Sequence, residues 1–287
     1  MNYLFAGLTA TQVVLIAGNH DYIKKDSYYR TFKWADNVHM LADKELSYVE
    51  LPELSLAVYG FSYHQREITG DVYSYALPEG RQKYEILLAH GGDENHIPIR
   101  KEVTGTLGYD YVALGHIHKP AVILADRMAY AGALEPVDKN DTGPHGYIRG
   151  ELCRGGCRIE FVPCAQREYI HMEIEVTRDM TGYMLRDVIA KHIQGAGIHN
   201  IYKIILTGLR DPDVIFDTDN MDQYGNIIEI TDATKPAYNF ERLMEQNRDN
   251  LLGIFIQGFK DCKKDSVEYM ALCEGVQALM ETRRGQA

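Results

Sequence analysis

No stretch of this chain approaches the ~20 consecutive apolar residues that a membrane-spanning helix needs. The first residues lack the basic segment and small-residue cleavage site of a secretory leader, so a cytoplasmic location is expected. Cysteine is scarce: there are five in 287 residues, an odd number, with no CxxC pair. That argues against a disulfide framework and against a four-thiolate zinc site. Cys153 and Cys157 flank the pair Gly155-Gly156, where a hairpin would bring them face to face. Reduced, packed thiols are expected there rather than zinc. An excess of positive charge is missing too. The net charge is −11, with 14 basic and 19 acidic side chains in residues 1–150 and 16 and 22 in residues 151–287. Neither half is a basic nucleic-acid module, which counts against autonomous tight binding to DNA, since such binding rests on phosphate neutralisation. A local basic rim, or a partner that holds the DNA, stays open. Internal repeats and low-complexity segments are absent.

What is present is a globular composition, 45% hydrophobic and 25% charged, in a chain long enough for one large domain or two ordinary ones. In residues 1–150, apolar runs alternate with helical or loop segments, which predicts an α/β layer structure. Strands are expected at 13–17, 56–61, 86–89 and 111–114, with one or two more across 121–131. Asp71 to Leu77 reads as a short helix. Segments 146–148 and 158–162 flank the Gly155-Gly156 turn as a hairpin. Pro163 and the polar run from Ala165 to Glu168 suggest a boundary, giving domains at 1–165 and 166–287.

The second part reads as a small α+β domain. Alternation of Ile170, Met172, Ile174 and Val176 with polar residues predicts a half-buried strand. A helix over 180–194 should present Met184, Leu185, Val188 and Ile189 on one face. Further strands are expected at 201–206 and 227–230. Asn239 is a candidate cap for a helix holding Phe240, Leu243, Met244 and Leu251. A last helix should start near Asp265, with Glu268 at capping-box spacing, and carry an apolar stripe of Leu272, Val276 and Leu279.

Three motifs carry the chemistry: Gly18-Asn19-His20-Asp21, His90-Gly91-Gly92 and Gly115-His116-Ile117-His118. Each follows an apolar run that reads as a buried strand. Strands ending in such turns point ligands into a shared cleft. One histidine after a strand is ordinarily a polar turn residue; three such motifs in series are hard to obtain by chance. Imidazole nitrogens and an amide oxygen suit manganese, iron or zinc. Asn19, His90 and His116 would share one ion, and His118 would reach a second. His20, with Asp21 orienting its other nitrogen, would protonate a leaving oxygen. The remaining histidines, His39, His64, His96, His145, His171, His192 and His199, read as surface or turn residues, with His64 and His145 the candidates for rim contacts. The 20 tyrosines read first as core packing and more weakly as stacking surfaces for bases.

These motifs resemble those of calcineurin-like metallophosphoesterases, and Gly108 to Pro120 together with Tyr130 to Pro136 look like the DNA-repair exonucleases of the SbcD type. The resemblance covers roughly residues 10–165 well and the region after it more loosely. It implies an α/β fold, a metallophosphoesterase β-sandwich flanked by helices, with a small α+β cap. It also implies a dinuclear manganese centre using Asn19, His90, His116 and His118, with His20 as the acid. Phosphodiester hydrolysis at DNA ends in DNA repair would follow, with an SbcC-type coiled-coil ATPase as partner and the 265–282 helix contributing to that contact. A homodimer is left open, and no membrane partner is expected.

The family's Asp-x-His and Gly-Asp-x-x-Asp motifs, which should precede Gly18, do not occur in the sequence; Gly70-Asp71-Val72-Tyr73-Ser74 imitates the second only in part. The expectation is therefore an N-terminally truncated nuclease domain with impaired activity. Two rivals stand beside it: a non-catalytic scaffold for the ATPase that binds at most one metal weakly, and a phosphatase of small phosphoesters.

Overall fold

The structure is a computed structural model that describes residues 1–153, 156–264 and 266–284. It divides into two compact units, Met1–Tyr169 and Ile170–Ala287.

The first unit is built on parallel strands. Its two-stranded parallel sheet pairs β1 (Val13–Leu15) with β2 (Val38–Met40). The larger sheet uses β3 (Ser47–Leu51), β4 (Leu56–Gly60), β5 (Tyr84–His90), β6 (Tyr111–Gly115), β7 (Ala121–Leu124) and β8 (Met128–Tyr130). Their order is β3-β4-β5-β6-β8-β7. The β4-β5-β6-β8 pairs are parallel, and antiparallel β3 and β7 form the two edges. Strand β5 alternates half-buried and buried residues along its length, so one side chain in two enters the core. That core gathers Ala57, Tyr59, Leu87, Ala89, Val112, Leu114 and Met128. A fully buried leucine such as Leu87 contributes about 1.5–3 kcal/mol by its removal from water. Tyrosine supplies an unusual share of the same cluster: Tyr59, Tyr63, Tyr73, Tyr109 and Tyr130 are all buried in it. The expected helix at Asp71 to Leu77 is a single 3-10 turn, Tyr73–Tyr75, with Asp71 accepting from the Ser74 backbone N–H and hydroxyl.

Beyond the large sheet, β9 (Gly146–Cys153) and β10 (Gly156–Pro163) form the expected antiparallel hairpin. Gly155 of its turn lies outside the described residues. All five cysteines are free, and Cys153 and Cys164 are exposed rather than packed. Cys153 is the last residue of β9, and Cys164 follows the end of β10.

The second unit orders β11 (Tyr169–Val176), β12 (Ile201–Arg210) and β13 (Ile227–Asp232), with β14 (Lys235–Pro236) also pairing β12. The helix Gly182–Ala196 is capped by Thr181, whose side chain accepts from the Met184 N–H. Its buried face is Leu185, Ile189, Ala190 and Ile193, whereas Met184, expected inside, is 48% exposed. Leu185 and its i+4 and i+8 partners define the inward direction, and Met184 lies a helical step of about 100° away from it.

The expected Asn239-capped helix is two helices, Phe240–Gln246 and Leu251–Gly258. Asn239 does cap the first, accepting from Arg242 N–H. Asn247 then donates to Leu243 O, and Asn250 caps the second helix by accepting from Leu252 and Gly253 N–H. The final helix is Val267–Arg284. Asp265 lies outside the described residues; Ser266 Oγ accepts from Tyr269 N–H at its start. Leu272 and Val276 pack with Leu252 and Ile256, joined by Leu279, so the apolar stripe is core of its own unit. Among the described residues, no helix is long and apolar enough to cross a membrane.

Candidate metal centre

Strand register brings the sequence motifs together. In the parallel β5-β6 ladder His90 lies opposite Gly115, so His116 emerges beside His90 at the same end of the sheet. Their rings are 5.2 Å apart, edge to face. The segment after β1 reaches this edge through Ser62, just past β4. Ala17 N–H donates to Ser62 Oγ at 2.9 Å, the Ser62 hydroxyl donates to Leu41 O at 2.6 Å, and Tyr63 N–H donates to Ala17 O at 3.0 Å. Asn19 then stands 3% exposed, with Oδ1 2.8 Å from His90 Nε2.

The His90 turn is fixed from beneath by tyrosine hydroxyls. Tyr73 accepts from His90 N–H at 2.7 Å, Tyr63 donates to His90 O at 2.8 Å, and Tyr130 donates to Gly91 O at 3.0 Å. Burial among these groups, with the nearby His116 imidazole, pushes the His90 pKa down to about 4. A neutral ring keeps a lone pair available for a cation. Gly91 has φ 151°, and a Cβ there would meet His96 O at 2.4 Å, so the turn requires glycine.

Asp93 and His96 complete the neighbourhood. Asp93 Oδ2 accepts from His116 Nε2 at 2.7 Å, and Asp93 Oδ1 is 2.8 Å from His96 Nδ1. The hydrogen bond from His116 holds the Asp93 carboxyl well below the usual carboxylate range. His96, expected to be a surface or turn residue, has its ring 4.6 Å from that of His116. The loop folds back because Gly92 N–H donates to His96 O and Ile97 N–H donates to Ile68 O. The only sequence signal was that Asp93 and His96 share the loop opened by His90-Gly91-Gly92. His116 itself has φ 96°, a left-handed conformation rare for a side-chain-bearing residue and concentrated at functional sites.

His118 donates from Nδ1 to Asp141 Oδ2 at 3.0 Å. Burial raises the Asp141 carboxyl, but the Val137 N–H and His118 outweigh it and hold it low. His20 is exposed, and with Asp21 it borders a cavity of about 500 Å³ also lined by Tyr22, Lys24, Tyr28 and Tyr29. Asp21 does not orient His20 as expected. Its carboxylate accepts from Gly18 N–H at 2.8 Å and from the Tyr29 hydroxyl at 2.6 Å, so it braces the turn instead. Of the two expected rim histidines, His64 is half-buried with Nε2 2.8 Å from Ala42 O. His145 is 1% exposed, its Nδ1 2.9 Å from Gly143 O, so it is interior rather than rim.

The donor set fits a divalent ion. Adjacent ligands around an ion bound at 2.0–2.2 Å sit about 3 Å apart. The Asn19 Oδ1–His90 Nε2 separation of 2.8 Å, a hydrogen-bond length, is compatible with that spacing. Imidazole and amide donors suit borderline ions such as manganese, iron and zinc.

No protein-family model matches the chain. It is similar to the uncharacterized metallophosphoesterase YhaO of Bacillus subtilis (strain 168), with 28% identity over 211 residues. The match covers 68% of this chain and 51% of that protein, so the chain spans about half the length of the curated relative. The mixed α/β architecture is consistent with a metallophosphoesterase fold.

Proposed function

We propose that this chain takes part in divalent-metal-dependent hydrolysis of phosphodiesters, with DNA ends as substrate and manganese as the working ion. The observation that carries the reading is the joint placement of Asn19, His90 and His116 at neighbouring strand ends, with Asn19 Oδ1 against His90 Nε2. In this reading those three residues hold one ion and His118 reaches a second. A bound ion would supply Lewis acidity at a phosphoryl oxygen and ease deprotonation of water.

The chain's own groups supply the rest. The tyrosine hydroxyls keep the His90 turn in one orientation, so little reorganisation accompanies binding. His20 stands exposed beside the cavity, where it can pass a proton to a leaving oxygen. Asp21 holds the turn from which His20 projects. Tyr22, Tyr28 and Tyr29 along the cavity offer stacking surfaces of the kind that nucleic-acid bases use. An SbcC-type ATPase is the proposed partner and the cytoplasm the proposed location. The contact would use the outward face of the last helix, where Val267 and Met270 are exposed, since Leu272 and Val276 are core.

The test is manganese-dependent hydrolysis of linear duplex DNA and of bis-(p-nitrophenyl) phosphate by the purified chain, with His116→Ala as control. DNA turnover lost in the variant supports the reading. Turnover of the small diester alone favours a small-molecule phosphoesterase. No metal-dependent turnover of either, with ATPase binding retained, favours the scaffold.

A further inference from the structure

We propose that Asp93, His96 and His116 form a divalent transition-metal site with its own ligand set, sharing only His116 with the centre described above. One ligand atom from each of the three lies within 4.8 Å of the others. Two imidazoles and one carboxylate, with a further position open, form a donor set that zinc and ferrous iron use widely.

The geometry favours a ligand role over simple bracing. Asp93 faces both imidazoles at once: Oδ2 is 2.7 Å from His116 Nε2, and the two carboxylate oxygens are 2.8 and 2.9 Å from His96 Nδ1. A carboxylate that only fixed the tautomer of His116 would need no second imidazole. The His116 and His96 side chains are 13% and 19% exposed, while Asp93 is 46% exposed, so an ion enters from the Asp93 side. Backbone N–H groups of Asn95 and His96 donate to Asp93 Oδ1 at 2.9 and 3.0 Å, which holds the carboxylate in place before any ion arrives. On binding, the ion replaces the ring protons that now point at Asp93, and each imidazole gives its lone pair in their place.

His116 cannot serve both sets with the same nitrogen. Nε2 faces Asp93, so an ion on Asp93 and His96 draws His116 away from Asn19 and His90. The site needs neither a phosphoester substrate nor turnover, so it stands or falls separately from the proposed hydrolysis.

The test is zinc titration of the full chain by isothermal calorimetry, with cobalt absorption as a spectroscopic check on imidazole ligation. Asp93→Asn and His96→Gln, both on the surface loop, should each weaken one zinc ion at least tenfold, and His96→Gln should alter the cobalt bands. Asn19→Ala should keep that ion while losing affinity at the other centre. The proposal is overturned if Asp93→Asn and His96→Gln bind zinc as the unsubstituted chain does, or if Asn19→Ala removes every ion. Circular dichroism on each variant separates lost binding from lost folding. Lost phosphodiester hydrolysis with zinc binding intact would count against the proposed function alone.

Discussion

The His90 imidazole lies directly over Gly18. A Cβ built on Gly18 would come within 2.5 Å of His90 Cε1 and 2.7 Å of Nε2. Gly18 is therefore a requirement of side-chain contact, since the ring that fills the space is a candidate ligand. Gly18→Ala should force the ring off Asn19 and cost about 1–3 kcal/mol of stability, the usual range for overpacking. Manganese affinity should fall at least tenfold in calorimetric titration. An alanine variant that melts and binds manganese like the parent would show that the ring has room to move.

His116 and His20 should separate cleanly into holding the ion and moving a proton. His116→Ala removes a donor at the strand end and should lower manganese stoichiometry after dialysis, read by elemental analysis. His20→Ala, at an exposed position, should leave that stoichiometry unchanged. Its turnover should drop by about 10²–10⁴, the contribution of a positioned general acid. Equal loss of metal in both variants would place His20 among the ligands.

How much of this was legible in the sequence depends on what each residue's position rests on. The strand ends carrying Asn19, His90 and His116 follow from apolar runs that stop at glycine turns, a local signal. Asp93 and His96 reach His116 because Gly92 N–H closes the loop on His96 O and Ile97 N–H ties it to the distant Ile68 O. No periodicity reports that closure. The same limit explains the helix expected from Asn239 through Leu251. Apolar spacing continued past the break, yet the Asn247 side chain bonded back to Leu243 O and Asn250 capped a new helix. Asp21 shows a different failure: adjacency to His20 suggested a pair, but the turn places its carboxylate on Gly18 N–H.

Tyr73 should matter to the centre without touching an ion. It is fully buried, accepts from His90 N–H at 2.7 Å and donates to His90 O at 3.2 Å. Tyr73→Phe leaves the His90 N–H without its acceptor, which costs about 1–3 kcal/mol. Tyr63→Phe should cost less, about 1 kcal/mol, because Tyr73 still donates to the same carbonyl. Urea unfolding of the two variants checks the order. The reverse order would mean that the Tyr63 contact, not Tyr73, fixes the turn.

Asp222 should make the second unit sensitive to acid. Burial raises its carboxyl pKa, but backbone N–H groups of Ile227, Tyr224, Asn226 and Gly225 outweigh that and hold it below the usual value. Three of those bonds measure 2.9, 3.0 and 2.8 Å, from Ile227, Tyr224 and Gly225. They tie the loop that precedes β13. Because the folded pKa is depressed, the stabilisation is complete above the unfolded value near 3.9 and disappears as pH falls through the folded one. Asp222→Ala should therefore lower stability at pH 7 by about 1–3 kcal/mol, through the loss of charge-assisted acceptors. The gap between the variant and the parent should narrow as pH falls below about 4, because the parent carboxylate is then itself being protonated. Urea unfolding at pH 7 and pH 3, followed by a signal from the second unit, reads both. A gap that stays constant with pH would assign the loss to packing rather than to the charged form of Asp222.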